Sequence, residues 1–278
     1  MNASRWLACS VIVFGLGRAA FSTQAGKSDW EKLNDEAMSL HRQGLTARTV
    51  EVATKALRVA EDTFGAEHLN VATSLNNLGV LYKSQGRYVQ AELFYKRSLE
   101  IKETALGAEH PAVAKGLGNL AALYYSDRNY AKAEPLLIRA LEISEKAYGP
   151  DDREVAAGLN KLAELYRVQN RPEESEPLYR RSLAIRERAL GPDHPDVATS
   201  LNNLAALYFS EKEYAKAEPL LVRAIGISEK AFGPDHPEVA TSLRNLAALY
   251  RRTGRKAKAA ALDERAAAIR AANPAAKR

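Results

Sequence analysis

Gly65, Gly107, Gly149, Gly191 and Gly233 stand 42 residues apart, one after another along the chain. Leu78, Leu120, Leu162, Leu204 and Leu246 keep the same step, as do Tyr82, Tyr124, Tyr166, Tyr208 and Tyr250. A fixed period of this length means one supersecondary unit stacked on copies of itself, since no single copy can bury its apolar face alone. The stretches GPDHPDVATSLNNLAALY and GPDHPEVATSLRNLAALY, beginning at Gly191 and Gly233, differ only at Asp196/Glu238 and Asn202/Arg244. A catalytic site needs one copy of its residues, so near-duplicates at a fixed interval point to architecture. Counting back, Gly86 predicts Gly44, which is present, so a sixth, degenerate unit precedes the first clear one. In it Glu36 stands where the others carry Leu, as a capping repeat with one solvated face allows.

Each unit reads as two helices. Leu75, Leu78, Gly79 and Tyr82 recur at steps of three and four, giving one buried face. The pattern breaks at Gly86, and a second stripe follows through Ala91, Tyr95, Ser98 and Ile101. Gly107 closes that helix with a backbone conformation least costly for glycine, and Pro111, Pro195 and Pro237 suit the first turn of the next. The small residues Gly79, Ala121, Ala163, Ala205 and Ala247 let paired helices approach closely. Pro135, Pro177 and Pro219 fall inside the second helix and are expected to bend it. The expected organisation is a leader over 1–25, a degenerate capping repeat over 26–64, five repeats over 65–270, and a basic tail over 271–278.

The leader reading rests on Arg5, then twelve apolar or small residues in WLACSVIVFGLG, then RAAFSTQAG, with no acid before Asp29. This is the order of a secretory signal, with Ala25 as the last residue removed, and export to the periplasm or beyond is the expectation. The run is too short to span a bilayer, which takes about 20 residues. The alternatives are a retained anchor or a misassigned start, which would leave the chain membrane-anchored or cytoplasmic. Cys9, the only cysteine, lies within it, so a cleaved chain would hold no thiol for disulfides, catalysis or zinc.

The wording Leu-Gly/Ala-x-x-Tyr in the first helix, followed by Ala and a bulky residue in the second, resembles the tetratricopeptide repeat. The 42-residue period and the GPDHPDVATSLNNLAALY phrase resemble its kinesin light chain-like subfamily. The resemblance covers about residues 30–270. It implies an all-α fold, a right-handed superhelical solenoid of antiparallel helix pairs, and an inner face that binds extended peptides. Three departures stand out: GPDDREVAAG lacks the His and Pro, Lys161 replaces an Asn, and Asp263 interrupts the last apolar stripe.

His68, His110, His194 and His236 invite a metal reading, yet each sits alone in the turn between units with no second ligand at a usable spacing. A turn or cap role is the expectation, and no metal or cofactor is expected. Neither a phosphate-binding glycine loop nor a Ser-His-Asp arrangement is present, so no catalytic residue or small-molecule substrate is assigned. With 40 Lys and Arg against 34 acids, the charge is +6 and interspersed. That tolerates anionic partners without requiring a nucleic acid. A nucleic-acid-binding solenoid would need aromatic or regularly basic positions, which its stripe lacks. That class and an unrecognised enzyme are the alternatives to a peptide-binding scaffold.

Opposite each first helix's buried face runs a stripe: Thr73, Asn77, Val80 and Ser84 in one unit, Thr199, Asn203, Ala206 and Ser210 in another. Asn is about 0.5 kcal/mol worse than Ala in a helix, yet four units keep it there. An Asn amide both donates and accepts, which suits the backbone of an extended peptide; the competing role is bonding between stacked helices. The candidate binding residues are therefore Asn77, Asn119, Asn203 and Asn245, with Lys115, Lys161, Arg244, Arg251 and Arg252 favouring acidic side chains on a protein or peptide partner. Among the stripe residues only Glu164 is an acid.

Overall fold

The computed structural model describes residues 7–44 and 46–273, with side chains from residue 25 onward except 45–47. Of the expected leader only residues 1–6 lie outside the described residues, the rest being backbone of the first helix; of the expected tail, 274–278 lie outside them. Among the described residues the chain is all helix: α1 (Leu7–Arg42), α2 (Thr46–Phe64), α3 (Leu69–Ser84), α4 (Tyr88–Leu106), α5 (Pro111–Ser126) and α6 (Tyr130–Tyr148). Then follow α7 (Arg153–Val168), α8 (Pro172–Leu190), α9 (Pro195–Ser210), α10 (Tyr214–Phe232), α11 (Pro237–Arg252) and α12 (Lys256–Ala272). None is long and apolar enough to cross a membrane. The contacts divide into two compact units, one ending at Leu136 and the other beginning at Leu137, inside α6. In the first unit α1 packs on α2 and α3 on α4; in the second α7 packs on α8, α9 on α10 and α11 on α12. The second helix of a pair then meets the first helix of the next, as α4 meets α5 and α8 meets α9.

The turns explain where helices stop. Gly107, Gly191 and Gly233 have φ 88, 88 and 87 with ψ 152, 156 and 158. That combination is open essentially to glycine alone, which is why this column has no exceptions. The turn within a pair is different. Gly86 and Gly254 have φ 71 and 77, but Arg128, Asn170 and Lys212 occupy the same register at φ 56, 58 and 63. This is the ordinary left-handed region, where a side chain costs about 1–2 kcal/mol without being excluded. Each inter-repeat turn ends in an N-cap. The Nδ1 of His68, His110, His194 and His236 accepts from the backbone N–H two residues on, at 3.1, 3.1, 3.1 and 3.3 Å. Asp152 does the same in α7 at 2.7 Å. The cap role expected of the histidines is what the structure shows. Pro111, Pro195 and Pro237 open their helices as expected, while α6, α8 and α10 continue through Pro135, Pro177 and Pro219.

Packing follows the apolar columns. Leu75, Leu78, Ala91, Tyr95, Ser98 and Ile101 are buried, and so is Gly79. A Cβ on Gly79 would lie 2.6 Å from the Tyr95 ring. Glycine here makes room for the Tyr95 ring, whereas Ala163 of the same column keeps its methyl group in one cluster with Tyr179. Polar clasps cross from one repeat to the next. Tyr124 donates to Glu92 at 2.8 Å, and Tyr208 donates to Glu176 at 2.8 Å. Arg180 bonds both Glu176 and the Tyr208 oxygen, at 2.7 and 2.6 Å, and burial pushes the Tyr208 hydroxyl up to about 12. Arg181 and Arg265 reach Glu145 and Glu229 at 2.6 Å, and they also donate to the carbonyls of Pro150 and Pro234 at 3.0 and 3.1 Å. These pairs are half exposed, so each contributes at most about 1 kcal/mol; the apolar columns supply the rest.

Candidate functional site

Thr73, Lys115, Lys161, Thr199, Thr241 and Arg252 are exposed, and Asn77, Asn119 and Asn203 are half-buried. Asn245, on the last first helix, is exposed. Each Asn is part of a pair that spans two repeats. The Nδ2 of Asn77 donates to the Asn34 oxygen at 3.0 Å, and Asn119 donates to Asn76 at 2.7 Å. In the second unit Asn203 donates to Asn160 at 2.9 Å, and Asn245 donates to Asn202 at 3.3 Å. The donor always follows the acceptor by 43 residues, one repeat and one position. In the sequence the remaining pair of positions holds Gly118 and Lys161 in place of two asparagines. The sequence reading set peptide binding against stacking. The geometry assigns Nδ2 to stacking and, among the described residues, leaves the Oδ1 atoms of Asn77, Asn119 and Asn203 without a hydrogen bond.

A cleft of ≈ 210 Å³ opens beside this stripe in the second unit. Ala205, Ala206, Ala248 and Phe209 give it an apolar floor, and Asn202, Asn245, Ser210 and Arg167 supply polar edges. Small residues at 205, 206 and 248 leave the space, and the half-buried Phe209 ring walls it. Arg167 is not a free cation: it grips Glu164 through two bonds of 2.8 and 2.6 Å, and Tyr179 donates to the same carboxylate at 2.7 Å. Burial and then the Glu164 carboxylate push the Tyr179 hydroxyl far up, while the Glu164 bond raises Arg167. The single acid of the stripe is thus neutralised where it stands.

The cations expected to face the partner divide. Arg251 is paired with Asp263, the residue that interrupted the last apolar stripe. Lys115, Lys161, Arg244 and Arg252 form no ion pair among the described residues. Phe209 and Lys102 were not among the sequence-derived candidates. Phe209 sits one position past the Tyr column, and Lys102 is half-buried on a second helix. No group of three or more His, Cys, Asp or Glu is placed to hold a metal among the described residues.

A family model for the tetratricopeptide repeat matches residues 31–104, 112–188, 154–230 and 196–272. Comparison with curated proteins gives no match. Among solved structures, the chain is similar to BtubC (BKLC) from P. vanneervenii, with 27% identity and a TM-score of 0.66 over 86% of this chain and 91% of that one. It is similar also to the nearly identical TPR-like repeats of a candidate kinesin light chain from P. anserina. That match has 26% identity and a TM-score of 0.63, over 74% of this chain and 97% of that one. PilF of Pseudomonas aeruginosa, at 16% identity, shares the fold, with a TM-score of 0.59 over 90% and 94% of the two chains.

Proposed function

The chain belongs to the tetratricopeptide repeat family, and on that premise we propose that it is a non-catalytic protein–protein interaction scaffold that holds an extended peptide segment along its first-helix stripe. The observation that carries this is the amide column. Each Nδ2 bond to the preceding repeat fixes an Asn in place, so its Oδ1 is presented to an incoming backbone N–H without further ordering, and such pre-organisation is what a binding site gains from a rigid element. Asn77 and Asn119 serve the first unit, Asn203 and Asn245 the second. The apolar floor beside Phe209 accepts one side chain of the segment, while Asn202 and Asn245 at its edge meet the backbone. Lys115, Lys161, Arg244 and Arg252 favour acidic side chains on the partner, with Arg251 contributing less because Asp263 already balances it.

Joint replacement of Asn119 and Asn203 by Ala tests the reading. The partner would first be captured on the full chain, identified by mass spectrometry, and its bound segment mapped. Each lost hydrogen bond costs about 0.5–1.5 kcal/mol of folding stability, and Ala returns about 0.5 kcal/mol of helix propensity. The melting temperature should therefore fall only slightly, while affinity for the mapped segment weakens by roughly 1–3 kcal/mol. Unchanged affinity together with a clearly lower melting temperature would leave the column a stacking device and overturn the proposal.

A further inference from the structure

Arg186 on α8 shows how a half-buried cation is normally satisfied in this stack. It reaches onto the first turns of α9, donating to the Asp196 carbonyl at 3.0 Å and the Ser200 hydroxyl at 2.9 Å. Lys102 holds the same register two repeats earlier, on α4 against α5. There Ala112 stands for Asp196, Lys115 for Thr199 and Gly116 for Ser200. The carboxylate and the hydroxyl have both gone, and a second ammonium has arrived. Lys102 keeps its place, with Nζ 3.9 Å from where a Gly116 Cβ would sit. Burial, then Lys115, pushes its pKa down, and no carboxylate opposes them, whereas Asp196 does so for Arg186. Neither lysine forms a hydrogen bond or ion pair among the described residues.

We propose that Lys102 and Lys115, brought together where the Lys102 side chain packs against Gly116, form an oxyanion-binding notch that takes a carboxylate or phosphate group. A half-buried cation beside a like charge has been desolvated without compensation. An oxyanion restores the balance, because its oxygens accept charge-assisted bonds from both ammonium groups at once. Gly116 matters because it lets Leu99 and Lys102 of α4 close on α5 beside Lys115: a Cβ there would lie 3.1 Å from the Leu99 Cδ1 and 3.9 Å from the Lys102 Nζ. Lys115 and Asn119 are one turn apart on α5, so the notch borders the amide column. It rests on the peptide-binding reading only in taking the oxyanion from an acidic side chain of the partner.

The test uses the full chain with inorganic phosphate, then hexaglutamate, each against chloride at matched ionic strength, read by calorimetric titration and melting temperature. Phosphate should bind saturably and raise the melting temperature, and Lys102→Met should abolish both effects. Ala112→Asp returns the missing carboxylate at a position near the α5 N-terminus that favours an acid. It should weaken phosphate by on the order of tenfold, the scale of one charged hydrogen bond. Hexaglutamate lost in the same variants supports a peptide carboxylate as the source. Phosphate binding without hexaglutamate binding supports the notch and withdraws that source. No phosphate binding, or an equal melting shift in the wild type and both variants, overturns the notch. The Asn119/Asn203 double variant should bind phosphate normally, so failure of the amide column and failure of the notch remain distinguishable.

Discussion

Two neighbouring repeats of the second unit, α7–α8 and α9–α10, share a skeleton and differ on the open face. Val155, Leu159, Leu162, Ala163, Leu165 and Tyr166 are buried in one, and Val197, Leu201, Leu204, Ala205, Leu207 and Tyr208 in the other. The cap is Asp152 in the first and His194 in the second, and the amide position is Lys161 against Asn203. Most telling is a change of three together: Glu164, Arg167 and Tyr179 form a bonded cluster where the next repeat has Ala206, Phe209 and Leu221. The skeleton specifies the repeat. The open face can be rewritten from apolar to ionic, provided the new polar groups arrive as a set that satisfies itself.

The comparison breaks first at the skeleton. Leu204→Ala should lower unfolding free energy by roughly 2–5 kcal/mol, because the side chain is 2% exposed and its removal leaves a cavity between helices. Its control is Ser210→Ala on the open face, expected within about 0.5 kcal/mol. Similar losses from both, measured by denaturant titration, would mean the buried and open faces are misassigned.

Glu164→Ala sharpens the argument about the set. The acid in α7 holds Arg167 and Tyr179, so its removal strands a half-buried guanidinium and a buried phenol. The cost should be about 1–3 kcal/mol, below that of a fully buried pair because both members of the ion pair remain partly solvated. Adding Arg167→Phe and Tyr179→Leu, the residues of the next repeat, should recover most of it. A triple variant no more stable than the single one would show that the cluster is not a unit.

The smallest effect concerns the clasp joining these two repeats. The bond from Arg180, then that from Tyr208, holds the Glu176 carboxyl below its ordinary 4.5. A depressed carboxylate contributes stability above its ordinary value and loses it as pH falls through the folded value. The melting temperature should therefore decline on acidification from about pH 6 to about pH 3. Glu176→Gln should make that decline shallower, and an identical slope would remove the clasp from the account of acid sensitivity.

How much could be read beforehand follows from the range of each interaction. The helices, their buried faces and the closing glycines were legible, because each depends on residues a few positions apart. The positive φ of Arg128, Asn170 and Lys212 was not, since only Gly44, Gly86 and Gly254 carry glycine at that turn. The stripe of Asn77, Asn119, Asn203 and Asn245 was seen as one face of single helices. Its partners Asn34, Asn76, Asn160 and Asn202 were missed because the bond crosses a repeat at an offset set by the stacking. Lys102 escaped for a related reason: what makes it unusual lies on the neighbouring helix. Aligning Ala112, Lys115 and Gly116 with Asp196, Thr199 and Ser200 was the available signal.

The seams on either side of α9–α10 are chemically alike, and that gives the chain an editable length. Suppose residues 191–232 were excised, joining Leu190 to Gly233. Glu176 would meet Tyr250 in place of Tyr208, Glu187 would meet Arg265 in place of Arg223, and Asn160 would meet Asn245 in place of Asn203. Arg186 would find Glu238 and Ser242 where it had Asp196 and Ser200. Each severed contact has a twin waiting at the same register. Unequal crossing-over between such tracts shortens or extends the reading frame by whole turns of the stack, with no new surface to invent, so the number of repeats is a heritable dial that mutation can move without passing through a misfolded chain.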